Sequence, residues 1–103
     1  SGGSRIVTAV EQVALNVLQL GMDVGAAVSA PRVHHQADPN VFNSETFAPL
    51  PAAALQALLA RGHRHSTIRN VAIVQAIHIQ YAGTARQLHA ASDARKGGVP
   101  AGY

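Results

Sequence analysis

Between Arg5 and Leu20 the polar residues Thr8, Gln12, Asn16 and Gln19 recur at steps of four, four and three, which gathers them into one narrow stripe of a helix. Nearly everything else in the segment is apolar, from Ile6 and Val7 through Val10, Val13 and Leu15 to Leu18 and Leu20. Such a helix is expected to be wet along one edge and buried around most of its circumference. Ser4 stands where an N-cap is wanted, and Gly21 where a left-handed residue closes the end. A helix this apolar needs cover on several sides.

The chain has 103 residues, enough for one small domain and not for two. Apolar residues make up 48%, a globular fraction, but charged residues only 13%, about half the ~25% usual in soluble domains. A small isolated domain is mostly surface, and surfaces are normally rich in charge. The shortage predicts that much of this exterior is covered, and that residues 1–103 form a single partial domain of a larger assembly. The net charge of +3 comes from scattered arginines and scarce carboxylates. With two Phe, two Tyr and no Trp, the basic and aromatic footprint of a nucleic-acid binder is missing. There is no Cys for a disulfide or thiolate chemistry, and no apolar run approaches a membrane span.

Further along, Asp23 is expected to cap a short helix over Val24–Ser29 that Pro31 stops. Arg32 to Gln36 reads as extended, and Ala37 to Pro49 as a loop with a short strand near Val41. Pro51 is expected as the first residue of a third helix carrying Leu55, Leu58 and Leu59 on one face, with Gly62 after its end. Val71 to Gln80 then alternates bulky Val71, Ile73, Ile77 and Ile79 with mostly small residues, a pattern for a strand covered on both sides. Tyr81 to Arg86 reads as a rather long turn into a second strand, Leu88 to Ser92, with an irregular tail from Asp93. Three helices followed by two strands fit an α+β or layered α/β piece better than any repeat array, and α+β is the class expected.

Four groups of residues invite a chemical reading. Gly2 and Gly3, just before the most apolar helix, can aim backbone N–H groups at an anion or developing oxyanion; a flexible lead-in has the same composition. His63 and His65 would share a strand face and His34 and His35 would point apart, but no closed set of metal ligands is legible, and ordinary hydrogen-bonded histidines are expected. His34, His35, Asp38 and Asp93 supply parts of a Ser/His/Asp arrangement without any nucleophile-elbow sequence. Arg95-Lys96 with Gly97-Gly98 lacks the strand–loop–helix context of a P-loop and reads as a structural tail.

Taken in order, several segments resemble the end of the γ-glutamyltransferase (glutathione hydrolase) small subunit. Gly2-Gly3-Ser4-Arg5-Ile6 is similar to that family's Pro-Gly-Gly-Ser-Arg-Ile. Gly21-Met22-Asp23 and Ala30-Pro31-Arg32-Val33-His34-His35-Gln36 resemble its Gly-Met-Asp and Ala-Pro-Arg-Phe-His-His-Gln segments. Arg61-Gly62-His63, Ser92-Asp93-Ala94-Arg95, Gly97-Gly98 and Ala101-Gly102-Tyr103 follow at matching places. Ser1, Val33, Ala37 and Ala94 depart from the family's Pro, Phe, Trp and Pro.

The resemblance implies the C-terminal part of an N-terminal-nucleophile hydrolase, an αββα four-layer sandwich. In that family a precursor cleaves itself to expose a Thr, which attacks a γ-glutamyl amide and passes the acyl group to water or to an amino acid or peptide. The resemblance assigns Gly2 and Gly3 to the oxyanion hole through their backbone N–H groups, with no cofactor and no metal. The nucleophile and the glutamate-binding residues would lie upstream, so the segment alone should be inactive. The implied partners are the remainder of the small subunit, the large subunit of the same precursor and a small-molecule γ-glutamyl substrate such as glutathione. The implied compartment is periplasmic or secreted. Alternatives are a related cephalosporin (glutaryl) acylase segment and a non-catalytic protein-interaction domain.

Overall fold

The computed structural model describes residues 2–101, so Ser1 and the last two residues of the Ala101-Gly102-Tyr103 segment lie outside the described residues. The elements run α1 (Arg5–Leu18), α2 (Val24–Ser29), β1 (Val33–His34), β2 (Phe42–Glu45), α3 (Ala52–Ala60), β3 (His65–Ile68), β4 (Ala76–Ala82) and β5 (Ala85–Ala91). β2 lies between β1, antiparallel to it, and β3, parallel to it, with α3 as the crossover. β4 and β5 form a separate antiparallel hairpin.

α1 is oriented differently from the sequence expectation. The first half of its polar stripe does not face water: Thr8 and Gln12 point at β1 of the same chain, while Gln19 is exposed. The Gln12 amide donates to Val33 O at 2.7 Å and accepts from Val33 N at 3.0 Å, doing for one edge of β1 what a neighbouring strand would do. Ala9 and Val13 beside it enter the core. The apolar remainder is left outside, with Val7 71% and Leu18 76% exposed. Gly21, at φ +66°, closes the helix as expected and lets Met22 N–H return to Asn16 O at 2.9 Å. Ser4 does not cap it; its own backbone is helical and its hydroxyl goes elsewhere.

Asp23 caps α2 as its position predicts, accepting from Gly25 N at 2.8 Å and Ala26 N at 3.1 Å. Pro51 stands one place earlier than expected, as the N-cap of α3. β3 has no counterpart in the sequence reading: His65–Ile68 is short, polar on average and paired only through β2.

The predicted strand from Val71 begins only at Ala76. Val71–Gln75 is irregular, and it supplies Val71, Ala72 and Val74 to the core formed with Ala9, Val13, Ala27 and Val28. Its backbone leaves the ladder because buried carboxylates take its donors: Glu45 accepts from Val71 N at 3.2 Å and Asp93 from Val74 N at 2.9 Å. The second strand starts earlier than predicted, at Ala85, because Gly83 (φ +62°) and Thr84 turn the hairpin in two residues. The bulky face expected to be covered is open within this chain, with Ile77 67% exposed.

Those carboxylates belong to a buried four-charge cluster. Arg32 donates to Asp93 at 2.8 Å, and Arg95 donates to Asp93 at 3.1 Å and through Nε to Glu45 at 2.8 Å. A further Arg95–Glu45 contact completes a two-pronged pair. Glu45 also accepts from Arg32 N at 3.0 Å, and Arg95 donates to Val28 O and Ala30 O, both at 2.9 Å. Burial pushes the Asp93 carboxyl up, but hydrogen bonds from Val74 N, Arg95 N, and the two guanidinium groups outweigh it and hold it below the usual carboxylate range. Burial likewise works against the Arg95 charge, and Glu45 and Asp93 reverse this, raising its pKa. Two positive and two negative side chains thereby tie α2, β2, the Val71–Gln75 segment and the C-terminal turn together.

Candidate functional site

The segment before α1 is a glycine turn continuous with the helix. Gly2 O accepts from Arg5 N and Gly3 O from Ile6 N, both at 3.2 Å, so the first helical turn is built on the glycine carbonyls. Gly2 (φ +156°) packs on the core, where a Cβ would come within 2.6 Å of Ala72 Cβ and 3.1 Å of Ala72 Cα. Gly3 (φ +59°) is exposed, and a Cβ there would meet nothing within 4 Å. Among the described residues the N–H groups of Gly2 and Gly3 have no acceptor. One glycine therefore seats the turn against the core, and the other stands exposed just before the N-terminus of a 14-residue helix.

A side-chain network flanks this turn. Ser4 Oγ donates to Gln36 Oε1 at 2.9 Å, and His34 Nε2 lies 3.0 Å from the same oxygen. His34 Nδ1 lies 2.8 Å from Thr8 Oγ1, and Gln36 Nε2 donates to Asp38 O at 2.9 Å. Ser4, Arg5, His34, Gln36, Pro39, Val41 and Asn43 line a cavity of about 210 Å3 beside it. None of these links was legible beforehand. The His34-His35-Gln36 run was prominent, but its contacts lie 26 and 32 residues away.

The other candidates fall apart or change role. His63 and His65 both lie against the Phe42 ring, at centroid distances of 6.0 and 4.6 Å, and His65 Nε2 is 2.7 Å from Ser44 Oγ. His35 pairs with Asn40 at 3.1 Å. Among the described residues no three His, Asp or Glu side chains are grouped to hold a metal ion. Asp93 is committed to the charge cluster, and neither it nor Asp38 is paired with a histidine among the described contacts. Arg95 is buried in the same cluster, its guanidinium committed to Glu45, Asp93 and the carbonyls of Val28 and Ala30. A second, apolar hollow of about 320 Å3 lies between α1 and β4, lined by Val10, Val17, Leu18 and Ile77 among others.

Solved structures place this architecture among N-terminal-nucleophile hydrolases, of which it is a mixed α+β part. A γ-glutamyltranspeptidase from Pseudomonas nitroreducens, solved in complex with L-DON, superposes with a TM-score of 0.84 at 35% identity, covering 100% of this chain and 52% of that one. The family model for gamma-glutamyltranspeptidase matches residues 1–103, and the chain belongs to that family. It is 35% identical to glutathione hydrolase 2 of Arabidopsis thaliana over 100% of its own length and 20% of the relative's. To the glutathione hydrolase proenzyme of Escherichia coli it is 36% identical, over 99% of this chain and 17% of that protein. The chain thus spans about a fifth of the length of these curated relatives and about half of the solved chain.

Proposed function

We propose that this chain is the C-terminal part of the small subunit of a γ-glutamyl acyltransferase/hydrolase, and that Gly2 and Gly3 provide the oxyanion hole. The observation carrying this reading is the turn itself: two backbone N–H groups with no acceptor among the described residues, on glycines of which one is wedged against Ala72 and the other faces open space. A nucleophilic Thr on the preceding part of the subunit attacks the γ-glutamyl amide carbonyl, and negative charge develops on its oxygen. Two fixed N–H donors at a helix N-terminus stabilise that charge without reorganising. Collapse releases the amine and leaves a γ-glutamyl-enzyme, which water or an amino acid or peptide then resolves through the same hole. Glutathione is the substrate class this reading names, and a periplasmic or secreted compartment accompanies it. No helix among the described residues is long and apolar enough to cross a membrane.

The partner surfaces follow from what this segment fails to cover. The radius of gyration is 15.2 Å, above the ~13 Å of a compact domain of this length, and the segment is elongated at 49 × 26 × 23 Å. The outer face of α1 and the Ile77–Ile79 face of the hairpin are assigned to contact with the rest of the small subunit and the large subunit. The decisive experiment is Gly3→Val in the assembled enzyme. Turnover of a γ-glutamyl anilide per processed active site should fall ~10²-fold or more, with the melting midpoint lowered only by the strain of a β-branched residue in the left-handed region. Unchanged kinetics would refute the role of the turn.

A further inference from the structure

We infer that Gln36 and Ser4 are positioning residues for the glycine turn, setting the direction of its N–H groups from β1; this rests on the oxyanion reading above. Two consecutive glycines do not hold a direction by themselves, because their backbone is the most permissive available. Gly2 is pinned sterically by Ala72, but no atom lies within 4 Å of where a Gly3 Cβ would stand, and Gly3 is tied only to the helix start, its O accepting from Ile6 N at 3.2 Å, so its orientation depends on the residues that follow it. That residue, Ser4, sends its hydroxyl to Gln36 and not to its own helix.

Gln36 is suited to this because its amide cannot turn over. Its Nε2 donates to Asp38 O at 2.9 Å, an oxygen that only accepts, so Oε1 must face the turn. There it receives Ser4 Oγ at 2.9 Å and His34 Nε2 at 3.0 Å, and both partners must donate. The His34 proton is thereby placed on Nε2, with Nδ1 2.8 Å from Thr8 Oγ1, a hydroxyl that also lies 3.1 Å from Arg5 O. Ser4 and Thr8 are four residues apart, on one face of the first turns of α1. His34 is buried, and Gln12 holds β1 against the same face one turn later. The rotation of α1 about its axis is thus registered at three successive levels, on Val33 and His34 of β1 and on Gln36 just after it, and the turn at its start inherits that register. A misplacement of about 1 Å at a reacting centre can cost ~10²-fold in rate, which makes such registration matter to turnover.

The test is made in the processed two-subunit enzyme, with a γ-glutamyl anilide as donor and rates expressed per processed active site. Ser4→Ala and Gln36→Leu should each lower kcat about tenfold with KM moving less than about twofold, the pattern of an interaction used in the transition state. Ser4→Thr, which keeps a hydroxyl, should restore most of kcat. The double variant Ser4→Ala/Gln36→Leu should be no worse than the poorer single one, because both remove one contact. Ser4 is exposed, so Ser4→Ala leaves the fold intact and the result is read on kcat. Full kcat in Ser4→Ala, losses that multiply in the double variant, or a change in KM alone would overturn the proposal. Gly3→Val separates the two levels: if it alone abolishes turnover, the oxyanion reading survives and the positioning role falls; if it is inert, that reading falls first.

Discussion

Arg95 Nε donates to Glu45 Oε2 at 2.8 Å, joining the last described turn of the chain to β2 across a sequence separation of 50. Both groups are fully buried, and each offsets the desolvated charge of the other. Glu45 additionally receives Arg32 N and Val71 N, so this one carboxylate organises the entry to β1 and the segment before β4. Arg95→Met in the assembled enzyme leaves that carboxylate without its guanidinium and should cost about 3–5 kcal/mol. Chemical denaturation of parent and variant checks this, and equal midpoints would contradict it.

Acid sensitivity should have a definite sign. The Asp93 carboxyl is held below its ordinary value of 3.8, so the folded protein binds that proton less readily than the unfolded chain. Its contribution is therefore fully present above pH ~4 and is lost as pH falls through the depressed folded value. Unfolding midpoints measured downward from pH 5 should drop more steeply for the parent than for Asp93→Asn, which is already weakened at neutral pH. Parallel curves would show that Asp93 is not the group titrating.

The two glycines should answer differently to alanine. At Gly2 the added Cβ meets Ala72 Cβ at 2.6 Å, so Gly2→Ala must shift the turn off the core. Activity should fall ~10²-fold, and Ala72→Gly in the same protein should recover part of the loss by removing the opposing methyl. Gly3→Ala meets no atom within 4 Å; its cost is the left-handed backbone, about 1–2 kcal/mol. Steady-state kinetics and melting of the three variants distinguish the steric account from a conformational one.

The 103-residue segment expressed alone should expose its apolar faces. Val7, Leu18, Ile77 and Leu88 are each more than half exposed, on α1 and on both strands of the hairpin. The isolated chain should bind an environment-sensitive dye and self-associate. Replacing Leu18 and Ile77 by Lys should reduce both signals, and should impair assembly when introduced into the whole enzyme. A monomeric isolated chain with a cooperative melt and no dye signal would contradict the assignment of these faces.

Short-range chemistry is legible in the sequence. Asp23 caps α2, Gly21 ends α1 and the family segments sit in order because each depends on neighbours within a few residues. The glycine pair is likewise visible as a turn before α1, since positive φ is a property of its own backbone. What the periodicity of α1 could not decide was which face turns inward. The amphipathic rule assumes water opposite the core, whereas here Gln12 replaces a strand neighbour for Val33 and much of the apolar side is exposed within this chain. β3 and the Val71–Gln75 segment escaped for the same reason: their backbone partners are supplied by β2, Glu45 and Asp93, far away in sequence. Local propensity and capping are properties of the chain; pairing of buried charges and the choice of covered face exist only once distant segments meet, and tertiary structure alone decided them.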